Sequence, residues 1–325
     1  MHVFQDAYNA SDLPRGGVGT IGNFDGVHRG QRAILERLTA RAEELGVPAV
    51  VITFDPHPLT VLAPERAPIA LTTPKQKEEL LETAGVSVML VVRFTPELSR
   101  VPARTFVREL LHDRLDLKEV FVGAGFSFGH NREGNLAMLQ EMGRELGFSA
   151  TPVEEVVYAG EKISSTRIRR AIGEGNVTEA AEMLGRPYAL AGSIARGDRM
   201  GQKLGWPTIN LMTDNKLLPA DGVYACRVHF PSYPATFDCV TNIGTRPTVY
   251  ENYQRVVESH ILDFKANVYG QKIKLEFYKR LREERIFPTV MDLSAQIRRD
   301  VDASREYFFR RRLEQDTPFA GLDGE

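Results

Sequence analysis

Cysteine and long apolar runs are scarce in this sequence of 325 residues. The two cysteines, Cys226 and Cys239, lie in separate apolar stretches and have neither metal-ligand nor redox spacing, so we expect two reduced thiols in a core. No apolar run approaches the roughly 20 residues that span a bilayer, which predicts that no helix crosses a membrane. The residues from Met1 to Asp6 lack the basic and apolar segments of a signal peptide, so we expect a cytoplasmic protein without a membrane partner.

An excess of charge of either sign is also absent. The chain has 41 Lys and Arg residues against 43 Asp and Glu residues, a formal net charge of -2. Because no global field attracts nucleic acid, we expect no nucleic-acid partner, and local groups must hold any anionic ligand. At roughly 100 to 200 residues per domain, the length indicates two domains. The sequence leaves the oligomeric state open.

In the first half, short β-rich apolar runs alternate with runs of helical period. One helical run has an apolar face and another begins with a capping box, Thr73 to Gln76. The alternation predicts an α/β domain with a doubly wound, Rossmann-like parallel sheet that binds ligands at the carboxyl ends of its strands. The apolar face consists of Ile34, Leu35, Leu38, Ala42 and Leu45. The predicted strands are Val18 to Ile21, Val47 to Phe54, Ser87 to Phe94, Glu119 to Gly123 and Val153 to Tyr158.

The second half consists mainly of strand-like runs separated by turn residues. This pattern predicts a small antiparallel β-barrel, followed by a C-terminal helix from about Val290 to Leu313. We place the boundary near Gly185 to Pro187, which gives domains 1–185 and 186–325. The predicted strands are Tyr188 to Ala195, Val223 to Phe230, Thr236 to Ile243, Val256 to Phe264 and Lys272 to Leu281.

A glycine-rich turn follows the strand at Val18. Its glycines let the backbone approach a phosphate, and His28 can donate a hydrogen bond to it. Alone, the motif is equally typical of an ordinary turn with a structural histidine. Two more polar segments are predicted at the same edge of the sheet, Thr53 to Pro58 and Ser164 to Arg167, and the three together predict a triphosphate pocket.

A second motif, Gly205 to Asn210, places a hydroxyl and a carboxamide two residues apart. Thr208 and Asn210 therefore share one face of an extended segment, where both can reach a divalent cation. Their neutral oxygens form a weak metal site, so ATP phosphates must complete the coordination of Mg²⁺. Alone, the motif is typical of a strand start, but a glycine-spaced loop with Arg199 and Lys203 precedes it.

The first-half motifs, GNFDGVHRG from Gly22, TFDPHP from Thr53 and SSTRIR from Ser164, resemble the adenylyltransferase module of the bifunctional riboflavin kinase/FMN adenylyltransferases, the prokaryotic FAD synthetases. The resemblance implies that the FMN phosphate attacks the α-phosphate of ATP, with release of pyrophosphate and with His28 and Arg167 in catalytic roles. Catalysis would be positioning plus charge stabilisation. The implied nucleotide-binding residues are Gly22, Asn23, Phe24, Asp25, Gly26, His28, Gly30, Gln31, Ser164, Ser165, Thr166 and Arg167.

Two residues depart from that family's pattern. Gln31 stands where the family has a second histidine, and Gly125 where it usually has Asp or Asn. Glutamine can donate from its amide but cannot carry a positive charge. Because one lost transition-state donor typically costs on the order of 10²- to 10³-fold in rate, we expect a retained but slowed adenylyltransferase.

The second half resembles the family's riboflavin kinase module through four ordered motifs: Gly205 to Asn210, Gly222 to Tyr224, Asn242 to Thr248 and Glu258 to Phe264. The resemblance implies that Thr208 and Asn210 bind Mg·ATP, and that Glu258 accepts the proton of the ribityl 5′-hydroxyl as it attacks the γ-phosphate. It also implies flavin contacts from Asp300 and Arg305 on the C-terminal helix. The implied nucleotide contacts of the glycine-spaced loop are Gly197, Gly201, Lys203 and Gly205.

Three functions fit the sequence. The leading one is a bifunctional enzyme that converts riboflavin to FMN and FMN to FAD, with ATP as co-substrate in both steps. A second is a riboflavin kinase whose first domain is impaired or inactive, as Gln31 and Gly125 suggest. A third is a non-enzymatic flavin or nucleotide sensor, against which Thr208, Asn210 and Glu258 argue, because a sensor has no use for a metal-binding pair beside a base.

Overall fold

The computed structural model describes residues 1–195, 205–246 and 254–316. Their contacts form two compact units, Met1–Arg167 and Ile168–Glu325, and so divide the chain earlier than the predicted boundary after residue 185. The intervening helices pack within the second unit, where the Thr178 hydroxyl donates to the Tyr278 carbonyl at 3.1 Å. These helices are α6 (Ser165–Gly173), which begins in the first unit, and α7 (Val177–Leu184).

Six parallel strands form the sheet of the first unit, in the order β1-β4-β3-β2-β5-β8. The strands β2, β3 and β4 follow one another in one direction, whereas β5 lies on the opposite side of β2. The topological switch point is therefore at the carboxyl ends of β2 and β5, where doubly wound sheets bind ligands. The predicted doubly wound architecture is confirmed. These strands are β1 (His2–Phe4), β2 (Val18–Ile21), β3 (Ala49–Asp55), β4 (Val88–Arg93), β5 (Glu119–Gly123) and β8 (Ser149–Val153).

Helices cover both faces of this sheet because alternate strand residues point to opposite sides. Val50 and Ile52 pack in one core cluster with the helical residues Phe106 and Leu139, whereas Val51 packs in another with Leu38. On α1, Leu35, Leu38 and Ala42 are buried as predicted, but Leu45 is 42% exposed. The helices are α1 (Arg29–Leu45), α2 (Pro58–Leu62), α3 (Pro74–Thr83), α4 (Ala103–Phe106, extended by π-type turns over Val107–Arg114) and α5 (Leu136–Leu146).

The last predicted strand of the first unit is wrong in position. The sheet strand is β8, Ser149–Val153, whereas Val157–Tyr158 forms the separate hairpin strand β9 with β10 (Glu161–Lys162). Pro152 argues against a strand in the sequence, but β8 pairs with β5 alone and is an edge strand, where a missing N–H is tolerated. A second small hairpin joins β6 (Ser127–Phe128) and β7 (Gly134–Asn135).

The second unit contains a closed antiparallel barrel in the order β11-β12-β15-β14-β13-β16, which confirms the predicted fold. Odd-numbered residues of β14 and β15 point into the barrel, where Thr241 Oγ1 and Ser259 Oγ lie 2.8 Å apart. Cys226 and Cys239 are opposite each other on β13 and β14, buried and not disulfide-bonded. The elements are β11 (Tyr188–Ala195), β12 (Ile209–Thr213), β13 (Gly222–His229), β14 (Thr236–Arg246), β15 (Gln254–Ile261), β16 (Lys272–Arg282) and α8 (Val290–Asp316). Across the described ranges, no helix is long and apolar enough to cross a membrane.

Candidate functional sites

The turn after β2 adopts a backbone that few residues tolerate. Phe24 (φ 46°) and Val27 (φ 41°) join Gly26 (φ 87°) in the left-handed region, which is costly for residues with a Cβ and typical of functional turns. The interior side chains hold this conformation: the Phe24 ring is 2% exposed in the core. The Asp25 carboxylate accepts from the backbone N–H of Leu71 at 2.9 Å. Both side chains thus face the protein and hold the turn in this conformation.

His28 caps the first turn of α1 together with Gln31. The Gln31 N–H donates to His28 Nδ1 at 3.3 Å, and the His28 N–H donates to Gln31 Oε1 at 3.1 Å. Because Nδ1 accepts, a neutral His28 ring carries its proton on Nε2. The arrangement gives the helix N-terminus a histidine donor beside its own N–H groups, which suits an anionic ligand.

The helix α6 begins beside the same turn. Ser165 Oγ donates to the Asp25 carbonyl at 3.0 Å, and a Cβ placed on Gly30 would lie 3.3 Å from the His28 ring. Arg167 Nη1 donates to the carbonyls of Tyr158 at 2.8 Å and Glu161 at 3.1 Å. The structure therefore places the start of α6 beside the turn after β2 through Ser165, while Arg167 contacts the β9–β10 hairpin. Thr166 is exposed, and Ser164 Oγ accepts from the Arg167 N–H at 3.3 Å.

The end of β3 contributes the third segment of this site. His57 Nδ1 accepts from the Leu59 N–H at 3.2 Å, so a neutral His57 carries its proton on Nε2. That nitrogen lies 3.0 Å from Asn23 Nδ2, so a hydrogen bond from a protonated Nε2 requires the carboxamide to turn its oxygen toward His57. Thr53 Oγ1 donates to the Asn23 carbonyl at 3.2 Å. The three sequence motifs meet at one edge of the sheet.

Lys77 is a charged residue of this region that the sequence reading missed. Its Nζ donates to the Asn23 carbonyl at 2.8 Å, beneath the turn. Burial lowers the pKa of Lys77, although the nearby carboxylates of Asp25 and Asp55 favour its charged form. A cavity of about 170 Å³ lies beside it, lined by Asn23 and Asp55 among others. The helical period of α3 gave no signal of this, because a lysine on a helix is usually solvated.

Gly125 lies on an exposed loop with room for a side chain. A Cβ there would be 3.7 Å from Lys162 Nζ and 3.8 Å from Glu155 Oε1, ordinary contact distances. Lys162 and Glu155 form an ion pair at this point. Steric contacts therefore do not require a glycine at position 125. The ion pair lies near this position, where the family usually has Asp or Asn.

In the barrel, Glu258 has a carboxamide residue opposite it on each side. Asn210 on β12 and Asn242 on β14 both pair with Glu258 on β15. Because directly opposed residues share a face, the three side chains lie on the outer face of the barrel. The register thus places Asn210 and Glu258, two residues that the resemblance names, beside each other. It adds Asn242, which lies in the Asn242 to Thr248 motif and to which the resemblance gave no role.

A cavity of about 510 Å³ lies on this face, between the barrel and α8, and both Thr208 and Glu258 line it. His260 Nδ1 donates to the Pro207 carbonyl at 2.8 Å, and the His260 ring meets Trp206 edge-on at 5.3 Å. Trp206 Nε1 donates to Ser294 Oγ on α8 at 3.2 Å. The segment before β12 is therefore held to both walls of the cavity.

Asp300 and Arg305, the predicted flavin contacts, lie in different places. Asp300 is 5% exposed at the cavity, where it accepts from Arg282 at 2.8 to 3.1 Å and from Gln296 Nε2 at 2.7 Å. It therefore orients Arg282, which also lines the cavity. Arg305 pairs with Asp263 at 2.7 Å and lines a separate groove, so the structure does not bring it to this cavity.

Part of the predicted nucleotide loop lies outside the described residues, namely Gly197, Gly201 and Lys203. Gly205 is described and adopts a left-handed backbone (φ 79°) just before Trp206. Within the described ranges, no group of three or more His, Cys, Asp or Glu side chains forms a metal cage. Thr208 and Asn210 instead supply neutral oxygens near one carboxylate, which fits a cation that arrives with its phosphate ligands.

Comparison with known proteins gives a two-part match. A profile for FAD synthetase matches residues 10–167, and a profile for riboflavin kinase matches residues 184–308. The fold and sites thus define a two-domain flavin nucleotide enzyme of the FAD synthetase type. The chain belongs to the bifunctional riboflavin kinase/FMN adenylyltransferase family.

Relatives with this name match the chain along nearly their whole length. The Escherichia coli K12 protein is 38% identical over 95% of this chain and 98% of the relative. The Haemophilus influenzae protein is 34% identical over 95% and 99%, and the Pseudomonas fluorescens protein 37% over 94% and 97%. A crystal structure titled "Macrolide-efflux Protein" from Streptococcus pneumoniae has a TM-score of 0.85 at 26% identity, covering 94% of this chain and 99% of that one. The two folds agree over this shared length.

Proposed function

We propose that the chain phosphorylates riboflavin to FMN in its barrel domain and adenylylates FMN to FAD in its first domain, with ATP as co-substrate in both. The observation that carries the kinase assignment is the cross-strand pairing of Glu258 with Asn210, beside Thr208 at one cavity. This arrangement sets a carboxylate next to two neutral oxygens, as a hydroxyl nucleophile and a Mg·ATP complex require.

In the kinase step, Glu258 is the catalytic base. The ribityl 5′-hydroxyl attacks the γ-phosphate, its proton passes to the Glu258 carboxylate, and the bond from the γ-phosphorus to the leaving ADP oxygen breaks. A carboxylate suits this role because a loose transition state mainly needs the nucleophile oriented. Thr208 and Asn210 hold Mg²⁺ with the ATP phosphates, and Arg282, held by Asp300, supplies a cation at the cavity wall. A flavin contact from Arg305 finds no support in this geometry.

In the adenylyl step, the turn from Gly22 to Gln31 holds ATP at the N-terminus of α1. A phosphate oxygen of FMN attacks the α-phosphorus, and pyrophosphate leaves without a covalent enzyme intermediate. His28 Nε2–H and the helix N–H groups stabilise the charge that develops on the α-phosphate. The nearby hydroxyls of Ser164, Ser165 and Thr166 and the guanidinium of Arg167 hold the remaining phosphates, which requires Arg167 to exchange at least part of its contact with the β9–β10 hairpin.

A second function, a kinase with a weak adenylyltransferase, is favoured by Gln31 and Gly125. Gln31 Oε1 is already used to cap the His28 N–H, so only its NH₂ remains as a donor, and it carries no charge. The uncharged Gln31 side chain therefore supports slower FAD formation in a pocket that is otherwise retained.

The test is a time course of products from purified protein incubated with riboflavin, Mg²⁺ and ATP, resolved by chromatography. FMN followed by FAD supports both activities. FMN that accumulates alone supports the kinase with a disabled first domain. No product at all contradicts the proposal and favours a sensor, which binding of riboflavin or ATP without turnover would identify.

A further inference from the structure

The carboxylate of Glu258 has an amide neighbour whose role the kinase assignment leaves open. Asn242 pairs with Glu258 across β14 and β15, and both line the cavity of about 510 Å³. In an antiparallel pair, the Cβ atoms of directly opposed residues are about 4.5 to 5.5 Å apart. An Asn side chain at this separation can donate a hydrogen bond to the carboxylate.

The two amides beside Glu258 have different surroundings. Asn210 shares its strand face with Thr208, the hydroxyl proposed for Mg·ATP. Asn242 lies on the other side of Glu258 and pairs with Val223 of β13, on the apolar wall that faces α8. A donor there meets less competition from water, and hydrogen bonds to a charged group are stronger in such surroundings. Asn242 is therefore the amide better placed to serve the carboxylate.

The fold fixes the register that makes this pairing. The next pair along the strands, Thr241 and Ser259, is buried in the barrel, with its hydroxyl oxygens 2.8 Å apart. A slip of one residue between β14 and β15 would turn Glu258 into the barrel interior and leave these hydroxyls without each other. The buried Thr241–Ser259 pair therefore fixes the register that places Asn242 opposite Glu258 on the outer face.

We propose that Asn242 is a positioning residue for the phosphoryl transfer. With its amide turned toward Glu258, it donates to one carboxylate oxygen, which orients the other oxygen toward the 5′-hydroxyl of riboflavin. The proposal rests on the proposed kinase function. Because Asn242 acts through Glu258, its loss is expressed in kcat and not in the binding of riboflavin.

Three substitutions test the role in riboflavin phosphorylation. Asn242→Ala is expected to lower kcat about 10- to 100-fold, the usual effect of losing a hydrogen bond to a charged group, with KM for riboflavin changed less than about threefold. Asn242→Asp is nearly isosteric but cannot donate and repels Glu258, so its kcat should fall further. Asn242→Ser keeps a donor and should recover part of the rate. A packing role alone predicts the reverse order, with Asp better tolerated than Ala.

A double-mutant cycle separates action through Glu258 from a direct contact with substrate. In a Glu258→Gln background, Asn242→Ala should cost less than about twofold, because the group that it orients has been changed. The full loss in that background would overturn the proposal, as would a large drop in riboflavin binding measured by flavin fluorescence. Thr236→Ala, on the same strand and face but outside the cavity, is the matched control and should keep the wild-type rate.

The activity of the wild-type protein distinguishes a failure of the kinase function from a failure of the role of Asn242. No FMN from the wild type contradicts the proposed kinase function itself. An active wild type whose Asn242→Ala and Asn242→Asp variants keep its kcat overturns the role of Asn242 alone.

Discussion

Gln31 and His28 hold each other across the first turn of α1. Each backbone N–H of the pair is bound by the other's side chain, at 3.1 Å to Gln31 Oε1 and 3.3 Å to His28 Nδ1. The side chain that departs from the family motif thus stabilises the helix start by capping the His28 N–H, while the backbone N–H of Gln31 sets the tautomer of a neutral His28. Stability and catalysis make different demands on position 31.

Gln31→His is expected to speed FAD formation, by up to about 10²-fold, because it adds a donor that can carry positive charge beside the α-phosphate. The measurement is the initial rate of FAD formation from FMN and ATP. Gln31→Glu is the matched control: it keeps an oxygen for the His28 N–H but repels the phosphates, so it should slow the reaction without lowering Tm. Equal rates for the wild type and Gln31→His would show that this residue does not limit adenylylation.

The two activities should separate by mutation. His28→Ala should lower FAD formation from supplied FMN by about 10²-fold and leave riboflavin phosphorylation unchanged, since His28 lies in the first unit. Glu258→Ala should lower FMN formation by about 10²- to 10⁴-fold and spare FAD formation from supplied FMN.

Each reaction is assayed with its own substrate, so that one defect does not mask the other. Glu314→Gln, an exposed change on α8, serves as the control for the barrel domain. Loss of riboflavin phosphorylation in His28→Ala with FAD formation intact would contradict the division of labour between the domains.

The fold was predictable because periodicity reports burial. The strands β3 and β4 are mainly apolar runs with both faces covered, and α1 carries its buried residues at helical spacing. The strand β8 was misplaced because Pro152 is tolerated only at an edge, and which strand is an edge depends on pairings that one segment does not contain.

A candidate site can be proposed from the sequence where one short segment carries the chemistry, as at Thr208 and Asn210. Residues that act through partners cannot be proposed in this way. The resemblance implied a flavin contact from Asp300, but its ion pair with Arg282 joins two distant elements. Lys77 and Asn242 acquire their surroundings only from the fold, through the Asn23 carbonyl and the Glu258 strand.

Both thiols should be inert in the native protein. Burial raises the pKa of Cys226 well above its usual range and that of Cys239 to about 12, so almost no thiolate forms at pH 8 and reagents have no access. Titration with a thiol-reactive chromophore should label neither residue in native buffer and both in denaturant. Rapid labelling of either cysteine in the folded state would contradict the closed barrel interior.

The contacts of Glu276 with His229 and Lys274 on the barrel should make the free energy of unfolding depend on pH in the acid range. Burial alone would raise the pKa of Glu276, but hydrogen bonds and charges from His229 and Lys274 outweigh it and lower the pKa to about 2. His229 Nε2 lies 2.9 Å and Lys274 Nζ 2.7 Å from its carboxylate oxygens. The folded protein therefore keeps this carboxylate ionised to lower pH than the unfolded chain does.

As the pH falls, the Glu276 carboxylate binds a proton in the unfolded chain before it does so in the folded protein. Between pH 4.5, the ordinary value, and about pH 2, the unfolded chain binds the proton and the folded protein does not, so the contribution of Glu276 is complete above this window and is lost as pH falls through it. Glu276→Gln should lower the free energy of unfolding by about 1 to 3 kcal/mol at pH 7, less than the full shift implies because Lys274 is half-exposed and screened. Urea unfolding of both proteins at pH 7, 4 and 3 measures this. A difference that stays constant across the three pH values would show that the contacts from His229 and Lys274 do not keep the carboxylate ionised, and that its role is packing alone.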